Sequence, residues 1–99
     1  MERFESSVGH IELTDERLGH ILQFHPELKP HVKQFTKALA EPDFIKPSRR
    51  DNAVLIFYKS VSKSKQLAVV VKTNSRHFIL TAYLIHTTRI KYENKKYTL

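Results

Sequence analysis

The second half of the chain consists of four runs rich in Val, Ile, Phe and Tyr, separated by short polar connectors. The runs are Phe44–Pro47, Ala53–Ser60, Gln66–Thr73 and His77–His86. Runs of this composition are typical of β-strands. Connectors of a few residues join antiparallel neighbours, because a parallel crossover needs a dozen residues or more. The sequence therefore predicts an antiparallel meander of about four strands.

Two stretches ahead of the strands have the apolar spacing of helices. Thr14 is a predicted N-cap, and the helix that it begins is predicted over Asp15–Phe24. A second helix is predicted from Pro26 to just before Pro42. Pro30 is expected to fall in the first turn of that helix, where its missing amide costs little. Together these elements predict one α+β domain over residues 1–99, with two N-terminal helices packed on a roughly four-stranded antiparallel sheet.

Three further features of the sheet follow from the pattern. Val8–Leu13 is either a short strand or an extended arm, and the tail from Thr87 to Leu99 is either an edge strand or a frayed end. Alternation along the last run predicts which of its side chains meet the helices: Phe78, Leu80, Ala82, Leu84 and His86. The opposite face is expected to bring four polar or phenolic side chains near one another: Tyr58, Lys72, Thr81 and Tyr83.

Composition excludes several classes of chemistry. The chain has no cysteine, so it has no disulfide framework, thiol nucleophile or Cys-ligated metal. With two glycines it has no Gly-rich phosphate loop. Its histidines lack the HExxH pairing, and residues 46–99 hold only Asp51 and Glu93 as carboxylates, so we expect no metal or other cofactor. No apolar run reaches bilayer length and the chain begins without signal-peptide order, so we expect a cytoplasmic protein with no membrane partner.

Positive charge is concentrated in the second half of the chain. Residues 1–45 hold 5 Lys and Arg against 8 Asp and Glu, whereas residues 46–99 hold 12 against 2. A basic half of this kind attracts polyanions, of which nucleic acid is the commonest. The alternative is that the basic residues are simply exposed to solvent and bind no partner.

The candidate site residues are of three kinds. Arg49 and Arg50 offer planar guanidinium groups that match phosphate oxygens. A phosphate-binding surface is extended by two lysines and one further arginine: Lys59, Lys72 and Arg89. Tyrosines between these cations can stack on unpaired bases. His20 is a candidate general acid or base, or else an ordinary surface histidine, and His25 before Pro26 is an alternative. Chemistry that needs a proton shuttle and cations but no metal is the chemistry of RNA cleavage by its own 2′-hydroxyl.

A family resemblance rests on short motifs whose order and spacing match over roughly residues 14–90. The motifs are Arg17-Leu-Gly-His20-Ile21, His25-Pro26-Glu27-Leu28, Pro42-Asp43-Phe-Ile45, Ser48-Arg49-Arg50-Asp51, Val54-Leu-Ile-Phe57-Tyr58, Val69-Val-Val-Lys72 and Thr81-Ala-Tyr83-Leu84. In these the chain resembles a small phage- and toxin-associated branch of the barnase–EndoU–colicin–RelE nuclease superfamily. The resemblance implies helices packed on a four-stranded antiparallel sheet, metal-independent RNA cleavage in the cytoplasm, and a possible antitoxin partner.

The resemblance also assigns roles to residues. It makes His20 the first candidate for the acid or base and His25 the second, and it makes Arg50, with Arg49, the phosphate clamp. It implies that further residues line the site: Tyr58, Thr81, Tyr83 and Lys72. The segment after Leu84 departs from the family pattern, which leaves His86 as either a second shuttle histidine or a simple substitution.

Three functions remain open at this point. The leading one is a toxin-like endoribonuclease. The second is a non-catalytic RNA- or DNA-binding module that uses the same basic sheet. The third is an interaction domain whose basic face meets an acidic protein.

Overall fold

The computed structural model describes residues 1–86 and has an α+β architecture, which confirms that part of the prediction. Two short strands, β1 (Glu2–Phe4) and β2 (Ile11–Leu13), precede helix α1 (Asp15–Phe24). A 3₁₀ helix (Pro26–Gln34) leads directly into helix α2 (Phe35–Ala40). The remaining strands follow in chain order: β3 (Phe44–Pro47), β4 (Val54–Ser60), β5 (Lys65–Thr73) and β6 (His77–His86).

The sheet has six strands in the order β1-β2-β6-β5-β4-β3, so the prediction of a four-stranded antiparallel sheet was wrong in detail. The meander β3 to β6 is antiparallel as predicted. However, β2 pairs with β6 in parallel, through Glu12 and Phe78, and β1 pairs antiparallel with β2. Strands of three residues are too short to show alternation, and the connection that this parallel pair needs is the long segment between β2 and β6, which holds the helices and strands β3 to β5.

Helix α1 begins as the sequence predicts. The backbone amide of Arg17 donates to the Thr14 hydroxyl at 3.1 Å, which satisfies one of the unpaired amides of the first turn. At the other end, His25 makes no side-chain capping bond to the helix that follows. His25 leaves the helical conformation, with φ −133° and ψ 66°, and so separates α1 from the 3₁₀ helix.

The predicted second helix is only partly α-helical. Residues Pro26–Gln34 form a 3₁₀ helix, and α-helical geometry begins at Phe35. Pro30 is the fifth residue of this segment, where it cannot donate the bond to the carbonyl of Pro26 that an α-helix would need. The prediction that Pro30 falls in the first turn was therefore wrong.

The core lies between the helices and one face of the sheet. Ile21 of α1, Leu28 of the 3₁₀ helix and Phe35 of α2 are buried in it. Ile45 of β3 is partly buried and packs against this core. The other strands contribute buried side chains: Phe4, Ile11, Leu13, Phe57, Leu67, Val69, Val71, Ile79 and Ala82. We call this face of the sheet the inner face, and the opposite one the outer face.

A β-bulge in β6 overturns part of the predicted division into faces. Val70 pairs with Thr81 but Val71 pairs with Ile79, so Leu80 is an extra residue without a partner on β5. The insertion reverses the alternation of everything before it. Ala82 is on the inner face as predicted, but Ile79 is there too, and Phe78 is on the outer face.

Candidate active site

The outer face brings together the tyrosines and polar residues that the sequence predicts to cluster. Tyr58 and Tyr83 lie in one row across the sheet, on either side of Ala68. Thr81 lies in the next row, opposite Val70. Neighbouring strands are about 4.8 Å apart, so the two tyrosine backbones are separated by about 10 Å.

Lys72 lies towards the far end of the same face, opposite Phe78. Its ammonium group donates to the Asp51 carboxylate at 2.6 Å, and the same carboxylate accepts from the amide of Ala53 at 2.9 Å. The hydrogen bonds from Lys72 and from the Ala53 amide lower the pKa of Asp51 below its ordinary value. Lys72 therefore fixes the turn between β3 and β4 and shares its charge with a carboxylate.

Helix α1 packs against β6. Strand β2 pairs with β6 only through Glu12 and Phe78. The Arg17 guanidinium approaches the carbonyl of Leu80 at 3.5 Å. Eight residues further along, the imidazole of His25 lies 6.4 Å from the phenol of Tyr83, between ring centres, with the ring planes tilted by 40°. Arg17 and His25 thus lie along the same edge of β6, at Leu80 and at Tyr83, and about 12 Å apart along the helix; Thr81 and Tyr83 are outer-face residues of that part of β6. We call these four residues the edge site.

The imidazole of His25 also faces a carboxylate. Its Nδ1 lies 3.5 Å from Oε2 of Glu27, and the His25 side chain is 34% exposed. Glu27 thus lies on the Nδ1 side of the ring. His25 thus has an orienting group, a phenol nearby and access to solvent.

His20, the first candidate from the sequence, is exposed on α1 and lies 5.2 Å from the ring of Phe24, between ring centres. It lines a shallow concavity of about 280 Å³ that Arg17 also lines. His20 therefore shares Arg17 with the edge site, but the aromatic ring beside it is Phe24 and not a tyrosine.

Arg49 and Arg50 are exposed in the turn between β3 and β4. This turn precedes Val54, which lies opposite Lys72 and four residues before Tyr58. Four residues of strand span about 13 Å, so this pair of arginines lies towards the Lys72 end of the sheet and away from Tyr58.

Lys59 and His86 lie away from the outer face. Lys59 lies opposite the core residue Leu67, and its ammonium donates to the carbonyl of Glu41 at 2.7 Å and pairs with Asp43 at 3.5 Å. His86 is exposed at the end of β6, opposite Lys65. Arg89, the remaining predicted phosphate ligand, lies outside the described residues, as does the tail from Thr87 to Leu99.

Two contributors to this region were missed by the sequence reasoning. Arg17 was quoted within a motif but given no role, and Glu27 was passed over in the same way. The available signal for Glu27 was its place two residues after His25. Only the packing of α1 against β6 brings Arg17 to Leu80.

Within residues 1–86 no group of three or more His, Asp or Glu side chains is arranged to hold a metal ion. In the same residues no helix is long and apolar enough to cross a membrane. Comparison with protein-family models, with curated proteins and with solved structures gives no match to this chain.

Proposed function

We propose that this protein is a metal-independent endoribonuclease of the toxin type that acts in the cytoplasm. The observation that carries the proposal is the proximity of His25 to Tyr83, which puts an imidazole beside a phenol at the edge of the outer face. The motif resemblance to the barnase–EndoU–colicin–RelE superfamily points the same way. An antitoxin that covers the site in the cell is part of the same proposal.

The reaction that suits these groups is transesterification by the 2′-hydroxyl of the substrate. His25 takes the 2′ proton through Nε2 while Glu27 holds the imidazole by Nδ1. The 2′-oxygen forms a bond to phosphorus, the bond to the 5′-oxygen breaks, and that oxygen leaves with a proton taken from solvent water. The products carry a 2′,3′-cyclic phosphate and a 5′-hydroxyl.

Charge on the phosphorane oxygens needs a cation or a hydrogen-bond donor that is already in place. Arg17 is the guanidinium of the edge site, and the Tyr83 hydroxyl is a second donor. Thr81 adds a hydroxyl in the adjacent row. We therefore assign the charge-stabilising role to Arg17. Arg49 and Arg50 hold more distant phosphates of the RNA.

The test is incubation of the purified protein with single-stranded RNA in EDTA, followed by analysis of the new ends. Cyclic phosphate ends that form without a divalent ion are the expected result. Cleavage that requires magnesium, or no cleavage by a protein whose folding has been verified, contradicts the proposal.

A non-catalytic RNA-binding module is the second candidate. It is favoured by the stack of Phe44 on Tyr58, with ring centres 4.5 Å apart, at the β3 side of the outer face. Such a module retains RNA intact, and its affinity falls steeply with salt. RNA that the protein binds but does not cut, in the same experiment, indicates this function.

A further inference from the structure

A larger cavity adjoins the Arg17 end of the edge site. It has a volume of about 500 Å³ and is lined by the start of α1, by Glu12 of β2 and by the turn between β5 and β6. Phe78 and Lys72, which face each other across β5 and β6, also line it. We call it the Phe78 cleft. Its size is within the range of small-molecule sites.

The charges around the Phe78 cleft favour an anion. Three cationic side chains line it, Arg17, Lys72 and Arg76, against the lining carboxylate Glu12 and the carboxylate of Asp51 that pairs with Lys72, which leaves one positive charge in excess. Arg76 donates to Glu12 at 2.8 Å, but its side chain is 74% exposed and keeps further donors for a ligand. Because the guanidinium carries five donors in a planar fork, one carboxylate oxygen does not saturate it.

Phe78 gives the same cleft an apolar, aromatic wall. The β-bulge at Leu80 puts this ring on the outer face instead of in the core. Every nucleobase has a π-face that stacks on such a ring without regard to sequence. A cleft that combines an aromatic wall with excess positive charge suits a ligand that is both planar and anionic, which is the chemistry of a nucleotide.

We propose that the Phe78 cleft is a binding subsite for one nucleotide of single-stranded RNA beside the phosphate that the edge site cleaves. The base stacks on Phe78, and the phosphate lies between Arg76 and Lys72. This inference rests on the proposed function, because it assigns the substrate class and a neighbouring subsite to the same active site.

The two sites lie on the same strand and share Arg17. Phe78 and Tyr83 are on one strand, roughly 13 to 16 Å apart when the bulge is allowed for. Arg17 contributes to the edge site and also lines the Phe78 cleft. A single strand of RNA that follows β6 therefore contacts both sites along a surface that Arg17 makes positive.

The experiment measures binding of all-2′-deoxy oligothymidylates, which lack the nucleophile and cannot be cut. A dinucleotide and an octanucleotide are titrated against the wild-type protein and two variants, Phe78→Leu and Arg76→Gln. Phe78→Leu keeps the apolar volume but removes the stacking face. The matched controls are Phe24→Leu and Lys33→Gln, which change an exposed aromatic and an exposed cation outside the cleft. Thermal unfolding verifies that each variant folds.

We expect the octanucleotide to bind more tightly than the dinucleotide, and each cleft variant to weaken octanucleotide binding about tenfold. The control variants bind as the wild type does. Octanucleotide affinity that is unchanged in both folded cleft variants overturns the inference, as does equal affinity of the wild type for the two lengths. RNA cleavage tests the proposed function separately, since a protein that binds through Phe78 but cuts no RNA has the subsite without the activity.

Discussion

The imidazole of His25 and the phenol of Tyr83 lie 6.4 Å apart, between ring centres, although 58 residues separate them in sequence. His25 is positioned by the turn at the end of α1, and Tyr83 by its place in β6 opposite Ala68. Neither residue belongs to the other's local motif. Their proximity follows from the packing of α1 against β6, and it is the reason that we propose His25 rather than His20 as the general base.

His25→Ala is expected to lower the rate of RNA cleavage by roughly 10²- to 10⁴-fold, because it removes the general base. His20→Ala is the matched control, since His20 is an exposed histidine of the same helix. Single-turnover cleavage of a labelled RNA in EDTA measures both rates. A large loss in His20→Ala with little change in His25→Ala assigns the base to His20 instead.

Arg17→Ala is expected to lower the cleavage rate by roughly 10²- to 10³-fold while it weakens binding of uncleavable RNA far less. The reason is that the guanidinium acts on charge that develops in the transition state. Arg50→Ala is expected to affect mainly binding, because Arg50 lies in the turn between β3 and β4. Rates and dissociation constants measured for both variants separate the two roles, and the opposite pattern places the clamp at Arg50.

Asp51→Asn is expected to make the free energy of unfolding depend less on pH in the acid range. The folded-state pKa of Asp51 is lowered, so its contribution is present above the unfolded pKa and is lost as the pH falls through the folded value. The wild type is therefore more stable than the variant near neutral pH, and the difference shrinks in acid. Urea unfolding between pH 3 and pH 7 measures this difference, with Glu2→Gln as a control that removes an exposed carboxylate. A difference that is constant over this range contradicts the assignment.

Acid sensitivity is not expected to disappear completely in Asp51→Asn. The pKa of Asp43 is also lowered, chiefly by the hydrogen bond from the Ser60 amide at 2.8 Å. Its contribution follows the same sign and remains in the variant.

Thr14→Ala is expected to lower the free energy of unfolding by about 1 kcal/mol, because the Arg17 amide loses its capping acceptor. Thr14→Ser keeps an acceptor hydroxyl and is expected to be nearly neutral. Urea unfolding with an unchanged m-value measures both. Equal loss in the two variants indicates that the methyl group matters and that the cap does not.

Several features of the fold were determined by the sequence itself. The helix Asp15–Phe24 and its Thr14 cap follow from local hydrogen bonding, which acts over four residues. The antiparallel meander follows from connectors too short for any other pairing. The presence of Tyr58, Thr81 and Tyr83 on one face follows from strand alternation within β4 and β6. Each of these is a short-range property, and a short-range pattern predicts it.

Only the tertiary structure decided the rest. The β-bulge at Leu80, which moves Phe78 to the outer face, depends on how β6 fits β5 and leaves no mark in the pattern of β6 itself. The parallel pairing of β2 with β6 joins residues more than sixty positions apart, as does the approach of Arg17 to Leu80. Hydrophobic burial drives such contacts without direction, so their geometry is fixed by the packing of whole elements and not by any local run of residues. For that reason the sequence indicated the types of side chain at the site, and the fold determined which of them meet.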